Sequence, residues 1–258
     1  MVNIHPLAIV ESGAELDEGV TVEAFAYVGK GVKVGRNTLI RKGAVIEGDT
    51  EIGKDCVIYA SHIGVDPQDL KFKGEETKVI IGDRVKVREY VTIHKGTEGG
   101  GGITKIGNDV LLMAYTHVAH DVTIGNNVVV ANAVQIAGHV EIGDFAVIGG
   151  LTGIHQFVRI GKHAMIGGAS AVHRDVPPFV VAQGNRARLE GINIVGLKRR
   201  GFSKETIRTL TTVFEMVFKT DEPIQLALEK VLEEFGTLTE VIEFIDFIKK
   251  SRRGICPA

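Results

Sequence analysis

"KIGNDVLLMAYTHVAHDVTIGNNVVVANAVQIAGHVEIGDFAVIGG", residues Lys105 to Gly150, carries an aliphatic side chain at every sixth position. The series runs Ile106, Leu112, Val118, Ile124, Val130, Ile136, Ile142, Ile148 and continues through Ile154, Ile160 and Ile166 to Val172. The same period spaces Ile4 through Ile58, and again Ile81, Val87 and Ile93. Two residues before each aliphatic stands a small or branched side chain, as at Val20, Ala26, Val32, Thr38, Ala44 and Cys56. Gly often follows it, as at Gly35, Gly53, Gly107, Gly125, Gly143 and Gly161. A six-residue period is neither the 3.6 of a helix nor plain alternation. Positions i−2 and i share one face of a short strand. The remaining residues turn the chain, with Gly expected where the backbone bends. One such unit cannot bury its apolar face alone. Stacked units share a core and pair their backbones with the coils above and below. The sequence therefore predicts a mainly β protein: a parallel β-helix with three hexads, or 18 residues, per coil.

The series breaks at "SHIGVDPQDLKFKGEETK" (Ser61–Lys78) and at "TEGGGGI" from Thr97. These predict loops near 61–78 and 97–103, extruded from a scaffold that continues on both sides. Long polar loops on a rigid frame carry function; the glycine-rich one also reads as a tolerated insertion. After Val172 three amphipathic segments follow "RDVPPFVVAQGNRA". Ser203 suits the cap of a helix ending near Lys219, Pro223 the start of one ending near Gly236, and "LTEVIEFIDFIKKS" forms a third. The expected division is a β-helix over 1–187 and a helical domain over 188–258, which covers the open end of the stack.

Composition excludes several classes. The formal net charge is −2, so neither nucleic acid nor a membrane surface is an expected partner. No run approaches the ~18 apolar residues of a membrane span. The N-terminus lacks a basic segment followed by an apolar one, and Cys56 and Cys256 make no disulfide framework, so a cytoplasmic location is expected.

Residues 18 apart stack one coil away. His120 then lies under Gly138 and Gln156, Asp121 lies under His139, and Ala119 lies two coils below His155. His117 falls on the adjoining strand, below Gln135 and Gly153. Histidine is the side-chain type suited to act as a base near neutrality, and His120 supplies one here. Asp121 suits the role of orienting acid, and the Gly138 N–H that of an oxyanion donor. No Ser or Cys nucleophile falls in the patch, which favours direct transfer. The rival reading of clustered histidines is a zinc site.

The hexapeptide repeats, "PQDLKFKGE", "HVAHDVTIGNNVVVANAVQIAGHVEIGDFAVIGGLTGIHQFVRIG", "DVPPFVVAQGN" and "GINIVGLKRRGFS" together resemble the UDP-N-acetylglucosamine O-acyltransferases, bacterial enzymes that start lipid A synthesis. The resemblance covers nearly the whole chain. It implies a left-handed β-helix, a homotrimer with sites between subunits, and neither metal nor cofactor. It implies transfer of a 3-hydroxyacyl chain from acyl carrier protein to the 3-position of the UDP-sugar. His120 is then the general base, Asp121 its partner and Gly138 the oxyanion donor. Asp69, Lys71, His117, His139, His155 and Gln156 contact substrate, with Lys71 reaching a neighbour's His120. Asn193, Arg199 and Arg200 meet the nucleotide diphosphate, which suits guanidinium donors. Gly168 ends the groove that measures the acyl chain. Val195 stands where well-known relatives carry a glutamate. Alternatives on the same scaffold are transfer onto a 3-amino sugar, a coenzyme A-dependent acetyltransferase, a zinc-dependent carbonic anhydrase and a purely structural β-helix.

Overall fold

The computed structural model describes residues 1–258. It is a left-handed parallel β-helix closed at its C-terminal end by helices. Three sheets of eleven, nine and eight strands, here A, B and C, form the faces of a triangular prism. Most strands are only two residues long. Their registers follow the predicted spacing: His117 pairs with Gln135, Gln135 with Gly153, and Gly153 with Ala171 in sheet B. The aliphatic and i−2 positions point inward and are buried from Val20 onward. In the first coil the end is open, and Ile4 is 45% exposed. At Thr38, Thr50, Thr116 and Thr152, which take the inner i−2 place, the hydroxyl donates to a main-chain carbonyl, as Thr38 Oγ1 does to Gly53 O at 2.8 Å.

Glycine's role differs from the expected turn. Gly35, Gly107 and their equivalents do not have positive φ; the left-handed residue falls two places later, at Asn37, Asp55, Asp109, Asn127, Phe145 and His163. Asn and Asp tolerate that conformation best among side-chain-bearing residues. The glycines are needed for close stacking: a Cβ on Gly107 would sit 2.7 Å from the Gly125 backbone one coil up. Asn and Asp side chains at this edge also bind N–H groups of the preceding coil, as Asn126 Oδ1 accepts from Asn108 N at 2.8 Å.

The first loop is shorter than predicted, and the second begins two residues earlier. His62–Val65 remains a strand of sheet B, with Ile63 fully buried, so the first extrusion spans 66–77. Ile63 follows Ile58 by five residues rather than six, and this slip hides the strand from a six-residue count. Lys78–Ile81 already pairs in sheet C. The second loop leaves after Thr92–His94, makes a short 3₁₀ turn at Glu98–Gly100 and returns as Ile103–Ile106.

The sheet does not stop at 187. Val180–Gln183 pairs antiparallel with Arg188–Ile192 and extends sheet A. Four helices follow: α1 (Ile194–Arg199), α2 (Lys204–Phe218), α3 (Ile224–Phe235) and α4 (Thr239–Lys249). Ser203 caps α2 by accepting from Thr206 N at 2.9 Å, as its sequence predicts. α1 is an addition to the three helices expected. One core cluster of 60 buried residues runs from the coil into the helices, so the two parts share one apolar interior. The tail is clamped back by fully buried Asp175, which accepts from Arg159 N and Ser251 Oγ at 2.8 and 2.7 Å. No helix is long and apolar enough to cross a membrane.

Candidate active site

The edge between sheets B and C carries the histidines. A cleft of about 580 Å³ runs along sheet B there. His117, His120, Gly138, His155 and Gln156 all line it, as the stacking arithmetic predicts. His120 is tied to Asp121: Nδ1 lies 2.8 Å from Oδ2. A carboxylate only accepts, so Nδ1 carries the proton and Nε2 is the basic nitrogen of the neutral ring. The imidazole is seated on Gly138, where a Cβ would lie 2.6 Å from Cε1 and 2.8 Å from Nε2. No main-chain partner within the chain takes the Gly138 N–H.

The glycine-rich loop forms the wall behind Asp121. Thr97 donates its N–H to Asp121 Oδ1 at 2.9 Å and its hydroxyl to Oδ2 at 2.6 Å. Asp121 N donates to Thr104 Oγ1 at 2.8 Å. Asp121's side chain is completely buried. Gly100 packs so tightly on its carboxylate that any Cβ would overlap it. Sequence reasoning misses Thr97, Gly100 and Thr104. The signal for Thr97 and Gly100 is the loop itself, "TEGGGGI", which also reads as an idle insertion; Thr104 follows it at an inner place of the repeat.

His94 is the other residue missed. It is buried, lines the cleft and meets His117 edge to face at 4.8 Å. Burial, then the neighbouring His117 and His120, push its pKa down to about 4. His117, held by Thr92 Oγ1 at 2.7 Å, is likewise lowered by burial and by His120. Both rings are therefore neutral near pH 7 and present one donor and one acceptor each.

His139 turns to the other side of the edge. It stacks on Phe157 at 4.4 Å and helps line a second cleft of about 650 Å³ with Arg159 and Arg252. Burial lowers its pKa against the opposing charge of Asp121. His120, Asp121 and His139 hold potential metal-ligand atoms within 4.8 Å of one another. Hydrogen bonds already occupy the carboxylate at the centre of that group: both Asp121 oxygens accept from Thr97, and Oδ2 also from His120. This is the donor set of an oriented base, and a metal ion would have to break it.

The remaining predicted residues are spread over the chain. Gln68 lines the His120 cleft and the charge of Asp69 reaches His139, so within one chain the first loop lies over its own edge. Lys71 is exposed; its N–H donates to Asp69 Oδ1 at 3.0 Å. Asn193, Arg199 and Arg200 belong to α1 and its two caps, fixed at the edge between sheets C and A. Gly168 lies on the third edge, between A and B, exposed and outside the cleft. A single chain does not bring these to His120.

A hexapeptide coil with an acid-oriented histidine at a cleft defines the class, an acyltransferase of the hexapeptide kind. The model for the six-repeat bacterial transferase hexapeptide matches residues 31–64 and 103–138, and that for Udp N-acetylglucosamine O-acyltransferase, domain 2, matches residues 175–256. The acyl-[acyl-carrier-protein]–UDP-N-acetylglucosamine O-acyltransferase of Thermodesulfovibrio yellowstonii is 49% identical over 99% of this chain and 100% of that protein. The solved UDP-N-acetylglucosamine acyltransferase of Campylobacter jejuni is 42% identical, with TM-score 0.94 over 99% of this chain and 100% of that one. The Arabidopsis enzyme is 30% identical, with TM-score 0.91 over 99% and 98%. The chain belongs to the UDP-N-acetylglucosamine O-acyltransferase family.

Proposed function

We propose that this enzyme transfers a 3-hydroxyacyl chain from acyl carrier protein to the 3-hydroxyl of UDP-N-acetylglucosamine, the first step of lipid A synthesis, in the bacterial cytoplasm. The observation that carries the chemistry is the His120–Asp121 pair seated on Gly138. His120 Nε2 removes the proton as the sugar oxygen attacks the thioester carbonyl. The tetrahedral oxyanion faces the Gly138 N–H. Its collapse breaks the carbon–sulfur bond, and the imidazolium returns the proton to the thiol. Asp121, pinned by Thr97, stabilises the imidazolium through that cycle. Neither thiol offers a covalent alternative: Cys56 and Cys256 are buried and burial raises both pKa values. The reaction needs no cofactor or metal.

The acceptor contacts support a trimer. Asn193, Arg199 and Arg200 stand on a different edge from His120, so a neighbouring copy supplies them. The edge between sheets A and B carries exposed Phe25, Tyr90, Tyr115 and Leu151, an apolar ridge suited to burial between copies. On this reading His117, His155, Gln156, His139, Asp69 and Lys71 contact sugar and acyl head group, and Gly168 of an adjoining copy limits the acyl chain. Val195 is 60% exposed on α1 and removes a carboxylate from the acceptor side.

The deciding assay offers 3-hydroxyacyl-acyl carrier protein and the matching coenzyme A thioester against UDP-N-acetylglucosamine and its 3-amino analogue. Ester formation from the carrier-protein donor is expected, unchanged by chelators. Preference for coenzyme A, or for the amine with amide product, would replace the reading with one of the alternatives.

A further inference from the structure

A second imidazole column lies away from the cleft, where sheets C and A meet. Phe145, His163 and Phe179 take the same left-handed position in consecutive coils, with φ 61, 56 and 69. Their rings stack: Phe145 on His163 at 4.7 Å and His163 on Phe179 at 5.8 Å. Phe202 closes edge-on against His163 at 5.0 Å. The Arg200 guanidinium carbon lies 4.5 Å from the Phe145 ring centre. At the other end of α1, Asn193 Nδ2 donates to the His163 carbonyl at 2.9 Å, and Asn193 Oδ1 accepts from Gly196 N at 3.0 Å. Residue 163 thus ties down both ends of α1, one through its carbonyl and the other through its ring. A helix of six residues has no stability of its own, so these tethers decide where it stands.

We propose that His163 is a positioning residue for the acceptor, holding Arg200 and Asn193 in the orientation that grips the diphosphate of the nucleotide sugar. The proposal rests on the reading of α1 as the nucleotide-binding element. A guanidinium with one face against an aromatic ring keeps its N–H edge free for phosphate oxygens. Loss of the His163 ring lets Phe145 tilt and Arg200 swing. Burial, then the charges of Arg200 and Lys162, lower the His163 pKa to about 4, so the ring supplies a flat face and no competing cation.

The test is steady-state kinetics of full-length enzyme, varying UDP-N-acetylglucosamine and acyl-acyl carrier protein separately. His163→Ala is backbone-neutral, because Ala133 and Ala169 hold the same conformation on another edge. It should raise KM for UDP-N-acetylglucosamine about tenfold, the scale of one lost aromatic stack. kcat and the donor KM should stay within about threefold, and His163→Phe should restore the acceptor KM to within about threefold. On an Arg200→Ala background, His163→Ala should add less than about twofold, as expected of residues acting through one another. If His163→Ala proves unstable, His163→Leu fills the space without the aromatic face and carries the same test. An unchanged acceptor KM in the ring-deleting variant, with a raised KM in Arg200→Ala, overturns the positioning role alone. An unchanged KM in Arg200→Ala overturns the nucleotide reading of α1 and the proposal with it.

Discussion

Replacing Gly138 by Ala puts the arrangement of the His120–Asp121 pair to a geometric test. The new Cβ lies 2.6 Å from His120 Cε1, 2.8 Å from Nε2 and 3.2 Å from Nδ1. Carbon atoms rest at about 3.5–4.0 Å, so the ring must withdraw by roughly 0.9 Å. Asp121 cannot follow. Its side chain is wholly buried, held on two oxygens by Thr97 and backed by Gly100. The 2.8 Å bond from Nδ1 to Oδ2 is therefore lost or badly stretched. A misplacement of about 1 Å at a reacting group costs on the order of 10²-fold. kcat should fall by about 10²-fold, with the fold intact because the ring moves outward into the cleft. The assay is kcat for acyl transfer, beside a thermal melt and the subunit count in solution. A folded variant retaining half the wild-type kcat would refute the argument that Gly138 seats the base.

Thr97→Val removes the hydroxyl donor to Asp121 Oδ2 but leaves the N–H on Oδ1; a hydrogen bond to a charged group is worth about 1.5–3 kcal/mol, so kcat should drop roughly ten- to a hundredfold. Thr97→Ser should recover most of it, and a fully active Val variant would reduce the loop to a passive wall. Gly168→Met should move donor preference to chains about four carbons shorter, at about 0.8 kcal/mol per methylene no longer buried; a Cβ there meets the Gly150 carbonyl oxygen at 3.3 Å, so the backbone must give slightly and a thermal melt accompanies the assay. Competition between ten- and fourteen-carbon donors reads the shift, and an unchanged preference would place the ruler elsewhere. His94 and His163 both have folded pKa values lowered to about 4, against about 6.5 in the unfolded chain. The unfolded chain therefore takes up their protons first, and stability that is full above pH ~6.5 is lost as pH falls toward ~4. Melting temperatures across that window should fall less steeply in His163→Phe than in wild type; parallel curves would show that folding does not suppress protonation of His163.

The architecture is legible because each inward aliphatic repeats without interruption from Ile106 to Val172, and stacking then follows from counting. Counting also carries His120, Asp121 and Gly138 to one edge. It fails wherever a residue is gained or lost. The five-residue step from Ile58 to Ile63 hides a strand, and the loop between His94 and Ile103 breaks the arithmetic that would set His94 beside Ala119. Thr97 and Gly100 are invisible for the same reason: their role comes from a loop folding back on Asp121, which no period encodes. Turn chemistry misleads in a different way. Gly107 looks like a bend but serves close stacking, while the left-handed conformation falls to Asp109. α1 carries legible signals, Asn193 as a cap and Gly201 with φ 83 just beyond its end, but its short apolar pattern is too brief to separate from a turn. Counting also puts Gly168 on a different edge from His120, but the placement of Asn193 and Arg200, beyond the end of the series, is legible only in three dimensions.

The proposed mechanism turns on His120 as the general base for transfer from acyl carrier protein to the sugar hydroxyl. Its most direct test is the turnover of 3-hydroxyacyl-acyl carrier protein with UDP-N-acetylglucosamine by His120→Ala, compared with wild type at equal subunit concentration and equal melting temperature. The side chain is 13% exposed at an edge rather than in the core, so its loss should leave the fold in place. kcat should fall by about 10²–10⁴-fold with little change in KM for either substrate. A folded His120→Ala variant that keeps half the wild-type turnover would contradict it.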